Sequence, residues 1–279
     1  MVMESLEQSV AAAVAGDPAA LEAVLRAVKD DVYGLALRML LHPADAEDAT
    51  QEVLLRIVTR LSTFEGRSSF RTWAYRIAVR TVLNFRRGRT EPLELDFESF
   101  GADLLDGLGD EPPAALTAPE RSRLRAEVKI ACTQAMLMCL DRDQRMAYLL
   151  GVILELDHRE ASECLGITPA AYRKRLSRAR AEVESFTREH CGMVASTAAC
   201  RCGGRVARAL SAGRIDPARL LFTTHPVRDV APADAEALAR ALGAMCESDA
   251  LMRSNPAYLA PERLLTRVRA AAAPTSGTE

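Results

Sequence analysis

The stretch DHREASECLGITPAAYRKRLSRAR, Asp157 to Arg180, constrains most tightly what this chain can fold into. Asp157 stands where a helix N-cap belongs, with Glu160 three residues on as in a capping box. Ala161, Cys164 and Leu165 mark an apolar stripe that stops at Gly166. Thr168 then caps a second helix with Pro169 at its first position, where a missing N–H costs nothing. Tyr172, Leu176, Ala179 and Val183 recur at helical spacing as a buried seam, while Arg173, Lys174, Arg175, Arg178 and Arg180 fill the rest with no acid before Glu182. A basic run by itself is as readily a solvated face as a contact surface. Two capped helices around a glycine turn, the second of them basic, are the form in which a chain lays a helix into the major groove of DNA.

The rest of the chain must then supply charge locally, because the net charge of −2 gives no overall basic field. With 279 residues there is room for two or three small domains, and 27% charged against 49% hydrophobic residues is a globular balance. Aromatics at 5% and plentiful alanine favour packed helices over sheets. No run approaches the roughly 18 apolar residues of a membrane span, and MVMESLEQSV lacks the basic and apolar parts of a signal peptide. The expectation is a cytoplasmic protein with no membrane partner. Seven cysteines, an odd number, then argue for buried thiols or a metal or redox site rather than a disulfide framework.

Four segments follow from the pattern: 1–90, 91–120, 121–188 and 189–279. The first is helical, with Leu21, Val24, Leu25, Val28, Val32 and Leu35 in one stripe. Within it, DAEDATQEVLLRIVTRL sets Ala46, Ala49, Val53 and Ile57 on one helix side and Asp48, Gln51, Glu52 and Leu55 on another. The second side suits either solvent or docking against a basic partner. Ser62 to Arg89 then switches sign, interleaving arginines with Phe64, Trp73, Tyr75 and Phe85; cations for phosphates and rings for unstacked bases are what partly melted nucleic acid asks for. Trp73 or Tyr75 could equally be core. Glu91 to Glu120 carries nine acids, no base, four prolines and three glycines, and reads as a flexible acidic linker.

DAEDATQEVLLRI, TFEGRSSFRTWAYRIAVRTVLNFRR, an acidic linker and ASECLGITPAAYRKRLSRAR, in that order, resemble the extracytoplasmic-function (ECF) group of bacterial sigma factors over about two thirds of the chain. The resemblance implies an all-α fold: two helical sigma domains, the second a helix-turn-helix, joined by the acidic linker, with a mostly helical C-terminal extension. It implies a non-enzymatic subunit that binds the clamp helices and flap of core RNA polymerase and promoter DNA, and leaves room for a separate anti-sigma factor. Asp45, Asp48, Gln51, Glu52 and Leu55 take the polymerase-docking role by this likeness. Phe64, Ser68, Ser69, Arg71, Trp73, Arg76, Arg80, Asn84, Arg86 and Arg87 fall to melting and reading the −10 element. Ala170, Arg173, Lys174, Arg175 and Arg178 fall to the −35 element. The chain departs from many members at Arg80, where they carry Asn, at Glu155 to His158 before the helix-turn-helix, and at Tyr172.

Beyond the second basic helix, His190, Cys191, Cys200 and Cys202 gather three thiols and an imidazole within thirteen residues, the composition of a tetrahedral zinc or copper site, although the spacing matches no standard finger. Small residues packed in a helical tail are the competing reading. Similar cysteine-bearing extensions in some members imply regulation in cis, and promoter recognition itself would require no cofactor. Two other functions compete. A stand-alone helix-turn-helix regulator leaves the acidic and arginine-rich segments of the first domain unused, and a thiol or metal redox protein lacks Cys-x-x-Cys and His-Glu-x-x-His.

Overall fold

The computed structural model describes residues 2–85, 95–106, 108, 116–227 and 247–272, and among them it is all-α. The described chain forms α1 (Val2–Val14), α2 (Pro18–Leu40), α3 (Pro43–Arg60), α4 (Phe70–Asn84), α5 (Phe97–Leu105), α6 (Ala118–Cys139), α7 (Arg142–Tyr148), α8 (His158–Leu165), α9 (Pro169–His190), α10 (Val206–Ser211), α11 (Ser248–Arg253) and α12 (Arg263–Ala272). A π turn at Leu149–Ile153 prolongs α7. Contacts divide the chain into two units: residues 1–90, 158–169 and 257–279 in one, 91–157 and 170–256 in the other.

Helix boundaries in both units follow local chemistry. Asp17 accepts from the N–H groups of Ala19 and Ala20 with Pro18 behind it, so α2 starts there. Ser69 caps α4 through the N–H of Thr72. Thr117 and Glu120 form a reciprocal capping box at α6, as Asp141 and Gln144 do at α7. α8 ends in a Schellman turn: Ile167 N–H reaches Ser162 C=O at 3.1 Å and Gly166 N–H reaches Glu163 C=O at 3.2 Å, with Gly166 at φ +67°. That left-handed residue is the glycine turn expected from the sequence.

The first unit is a bundle of α1 to α4 joined by two pieces distant in sequence. Val24, Val28, Val32, Ala46, Ala49, Val53, Ile57, Phe70, Ala74 and Val82 are its buried seam. α8 packs on α4, where Glu160 accepts from Thr72 Oγ1 at 3.3 Å. α12 packs on α3 and α2 through buried Leu264, Leu265 and Val268. The approach to α12 is fixed by a buried charge: Lys29 Nζ donates to Asp30 Oδ1, Glu262 Oε1 and Ala260 C=O at 2.9, 3.0 and 3.3 Å, and Asp30 in turn accepts from Ala260 N–H. A buried ammonium so enclosed tolerates loss of a partner poorly.

In the second unit, α9 buries Tyr172, Leu176, Ala179, Val183 and Phe186. Gly151 in the π turn faces this seam, and a Cβ there would collide with Tyr172 Oη and Leu176. Arg145, almost fully buried, gives its guanidinium to the carbonyls of Leu137, Met138 and Leu140, closing the C-terminal end of α6. The tail belongs to this core. Val206, Ala209, Ile215 and Leu220 pack on Leu124 and Val128 of α6. Glu127, 3% exposed, accepts the backbone N–H groups of Leu221, Phe222 and Thr223. Ser248 meets Thr187, and Asp249 takes both Tyr148 Oη and Arg180.

The region expected to be a flexible linker is structured in part. Asp96 caps α5 through Ser99 N–H at 2.7 Å, and Phe97, Phe100 and Leu104 form the helix's apolar stripe.

Candidate nucleic-acid interface

On α3 the helical spacing separates two faces as expected. Ala46, Ala49, Val53 and Ile57 are fully buried, whereas Asp48 is exposed and Asp45, Gln51, Glu52 and Leu55 are half-buried. Asp45 lies in the first turn, where the helix dipole favours an acid. Glu52 is paired with Arg56 one turn on, and Glu47, on the side of α3 facing α12, is held by Arg263 through both carboxylate oxygens. Among the described residues, no ion pair reaches Asp45 or Asp48.

The loop and helix that follow build the first basic surface. Phe64 packs against Phe70 and Trp73 with ring centroids 5.7 and 5.6 Å apart, so the loop is anchored by rings beside the cap Ser69 and its neighbour Ser68. Trp73 remains half-exposed, whereas Tyr75 is buried and its hydroxyl donates to Asp31 at 3.0 Å. Of the two rings, Tyr75 is therefore the core residue and Trp73 the available one. Arg76, Arg80 and Asn84 are exposed on successive turns of α4. Arg71 is exposed as well but is ion-paired with Asp31. Sequence reasoning missed Asp31, because its role depends on α2 passing beside α4. Arg86 and Arg87 lie outside the described residues.

The second basic surface is the first half of α9. Ala170, Arg173, Lys174 and Arg178 are exposed, and Tyr172 and Leu176 hold the helix from its other side. Arg175 is half-buried and paired with Asp143 at 3.1 Å, which orients it at the edge of a groove shared with Arg142, Lys174 and Arg178. Asp143 is again a partner that no local pattern announced.

The cysteine cluster departs from the tetrahedral site expected of His190, Cys191, Cys200 and Cys202. Among the described residues, no group of three or more His, Cys, Asp or Glu side chains is arranged to hold a metal ion. His190 sits at the last turn of α9 with its ring against Phe186, centroids 4.6 Å apart, and over Gly101, so it packs as an aromatic residue. In its place Cys132 of α6 lies near the tail thiols, which mutually disfavour one another's ionisation. Burial pushes the Cys202 thiol up to about 12 and raises Cys132, Cys191 and Cys200 as well. Gly192 N–H bonds Cys200 C=O at 3.0 Å, and Cys202 Sγ lies 3.8 Å from Met193 Sδ. This is a packed thiol cluster rather than the expected His and Cys donor set. Cys246 lies outside the described residues.

Two helical regions each present an open basic surface, and one of them an open acidic helix face as well. The family model for Sigma-70 region 2 matches residues 24–91, and that for Sigma-70 region 4 matches residues 130–183. A solved structure of CnrH in complex with the cytosolic domain of CnrY has a TM-score of 0.47 at 20% identity, covering 64% of this chain and 94% of that one. The RNA polymerase sigma-H factor of Pseudomonas aeruginosa is 28% identical over 186 residues, 66% of this chain and 94% of that protein. The ECF RNA polymerase sigma factor SigE of Mycolicibacterium smegmatis is 30% identical over 192 residues, 66% of this chain and 68% of that protein.

On the two region matches and these relatives, the chain belongs to the ECF group of RNA polymerase sigma factors. It is a promoter-specificity subunit: it works with core RNA polymerase and promoter DNA, catalyses no bond change, and needs no cofactor for promoter recognition. No described helix is long and apolar enough to cross a membrane.

Proposed function

We propose that the surfaces of this sigma factor divide promoter opening among them in the cytoplasm. Asp45, Asp48, Gln51, Glu52 and Leu55 dock on basic helices of core polymerase. The loop at Phe64, Ser68 and Ser69, with Trp73, Arg76, Arg80 and Asn84, engages the melted −10 strand; Arg71 contributes when it leaves Asp31. Ala170, Arg173, Lys174, Arg175 and Arg178 engage the −35 duplex. Residues 1–90 and 121–188 are the two reading domains, 91–120 the connection, and 189–279 a regulatory extension acting in cis. The extension's thiols enter this reading as packing, and no step is assigned to zinc or copper.

The observation that supports this division best is the stripe of half-exposed Trp73 and exposed Arg76, Arg80 and Asn84 on α4, beside a ring-anchored loop. Rings and cations together suit unstacked single strands, whereas α9 offers cations over an apolar seam and suits duplex. Arg80→Ala is expected to leave duplex binding intact and impair strand opening in permanganate footprints. Normal opening by this variant removes α4 from the −10 role.

A further inference from the structure

Nothing in an acidic, proline-bearing connector requires it to be helical. A nine-residue helix such as α5 is too short to persist alone in water, so something else in the second unit holds it. At its C-terminal end the tail supplies three arginines: Arg214 pairs with both carboxylate oxygens of Asp103, Arg205 reaches the same group at 3.3 Å, and Arg208 pairs with Asp106. Arg214 beside it holds the Asp103 carboxyl below the usual range. At its N-terminal end Phe97 and Phe100 lie against Phe186 of α9, with centroids 5.1 and 5.3 Å apart. Between the two anchors, Phe100 and Leu104 overlie a cavity of about 140 Å³ that Cys132, Cys200 and Cys202 also line. The helix is thus pinned at its ends by ion pairs and rings, and it is incompletely packed between them. The accessible ion pairs, Arg208 with Asp106 and Arg214 with Asp103, weaken with salt.

We propose that the C-terminal extension regulates the chain by clasping the connector as α5, and that engaging polymerase and promoter requires the clasp to open. This rests on reading residues 189–279 as regulatory. The physical gain from opening is reach. As a helix, nine residues span about 13 Å; drawn out, they span about 30 Å. At 3.4 Å of duplex per base pair, the difference corresponds to about five base pairs between the two promoter elements. The arginines that hold α5 come from the tail, so any event that moves the tail acts on this length. Opening also returns Asp103 and Asp106 to a connector that already carries seven further acids between Glu91 and Glu120, which suits a basic channel and opposes contact with DNA.

The test uses the full chain. Hydrogen exchange is measured across residues 97–106 in the wild type, in Arg208→Glu with Arg214→Glu, and in the swapped pair Asp106→Arg with Arg208→Asp. Affinity for core polymerase is measured on the same proteins. α5 should be protected in the wild type and at least tenfold less so in the double reversal, with α6 and α9 unchanged. The swap should recover protection, and core affinity should rise several-fold only where α5 is released. Unprotected α5 in the wild type, or full protection in the double reversal, overturns the clasp. Released α5 with unchanged core affinity overturns its control of engagement. If no form binds core polymerase, the sigma assignment itself is at fault, and the exchange data still judge the clasp separately.

Discussion

Two acidic helices in this protein are treated in opposite ways. On α3, Asp48 is exposed and neither it nor Asp45 has an ion-pair partner among the described residues, whereas on α5 Asp103 and Asp106 are taken up by Arg205, Arg208 and Arg214. The unpaired acids stand on a helix whose inner face is closed around Ala46, Ala49, Val53 and Ile57, so α3 needs none of them in order to fold. The paired acids hold in place a helix that cannot stand alone. Acids of the first kind are available to a partner protein, and those of the second kind are internal fastenings. Composition counts both alike.

This contrast is broken most sharply at α3. Asp48→Ala with Leu55→Ala removes a charge and an apolar contact from an interface without touching the core. Core-polymerase affinity is expected to fall by about 2–3 kcal/mol, thirtyfold or more, while the unfolding temperature stays where it was. Unchanged affinity in a binding titration, or a fall in melting temperature, would put these residues in the structural class instead. The converse substitution, Asp103→Ala, is expected to cost about 1–2 kcal/mol of stability, because it leaves the buried Arg205 short of a partner. Denaturant unfolding followed near the tail measures it, and a neutral result would mean that α5 is not fastened there.

A smaller effect concerns α9. Arg178→Ala removes one exposed cation, so duplex affinity should drop by about 1 kcal/mol and the slope of log K against log salt should flatten by about one unit. A drop without a change of slope would assign Arg178 to base reading. The smallest effect is on pH dependence. Burial raises the Cys202 thiol to about 12 from an ordinary value of 9, so above pH 9 the unfolded chain releases this proton first. The contribution of this thiol is therefore expected to be flat below pH 9 and to decline as the pH climbs from 9 towards 12, with Cys202→Ala showing a shallower alkaline decline in thermal melts.

The same division between local and distant causes explains what the sequence made legible. Caps, glycine turns and three-and-four spacing are local, and they announced α2, α3, α4, the two helices of the helix-turn-helix and the exposed faces of α3 and α9. The cap and stripe of α5, Asp96 ahead of Phe97, Phe100 and Leu104, are equally local, but the four prolines and nine acids around them read as a flexible linker. What stayed hidden depends on residues far apart in the chain. Asp31 restrains Arg71, Asp143 restrains Arg175, Lys29 anchors the approach to α12, and Cys132 joins thiols some sixty residues further on. His190 belongs with these: its company with three cysteines suggested a ligand, but one helical turn back Phe186 offers its ring a packing partner.

The most direct test of the account is reconstituted transcription. Core RNA polymerase mixed with the purified chain should give run-off transcripts from a subset of genomic fragments, with start sites downstream of one shared pair of −35 and −10 sequences. Arg173→Ala with Arg178→Ala should abolish selection at the upstream element, and Asp48→Ala with Leu55→Ala should abolish transcripts at limiting protein. A chain that binds these fragments by itself but yields no transcript with core polymerase would contradict the account and leave a DNA-binding regulator in its place.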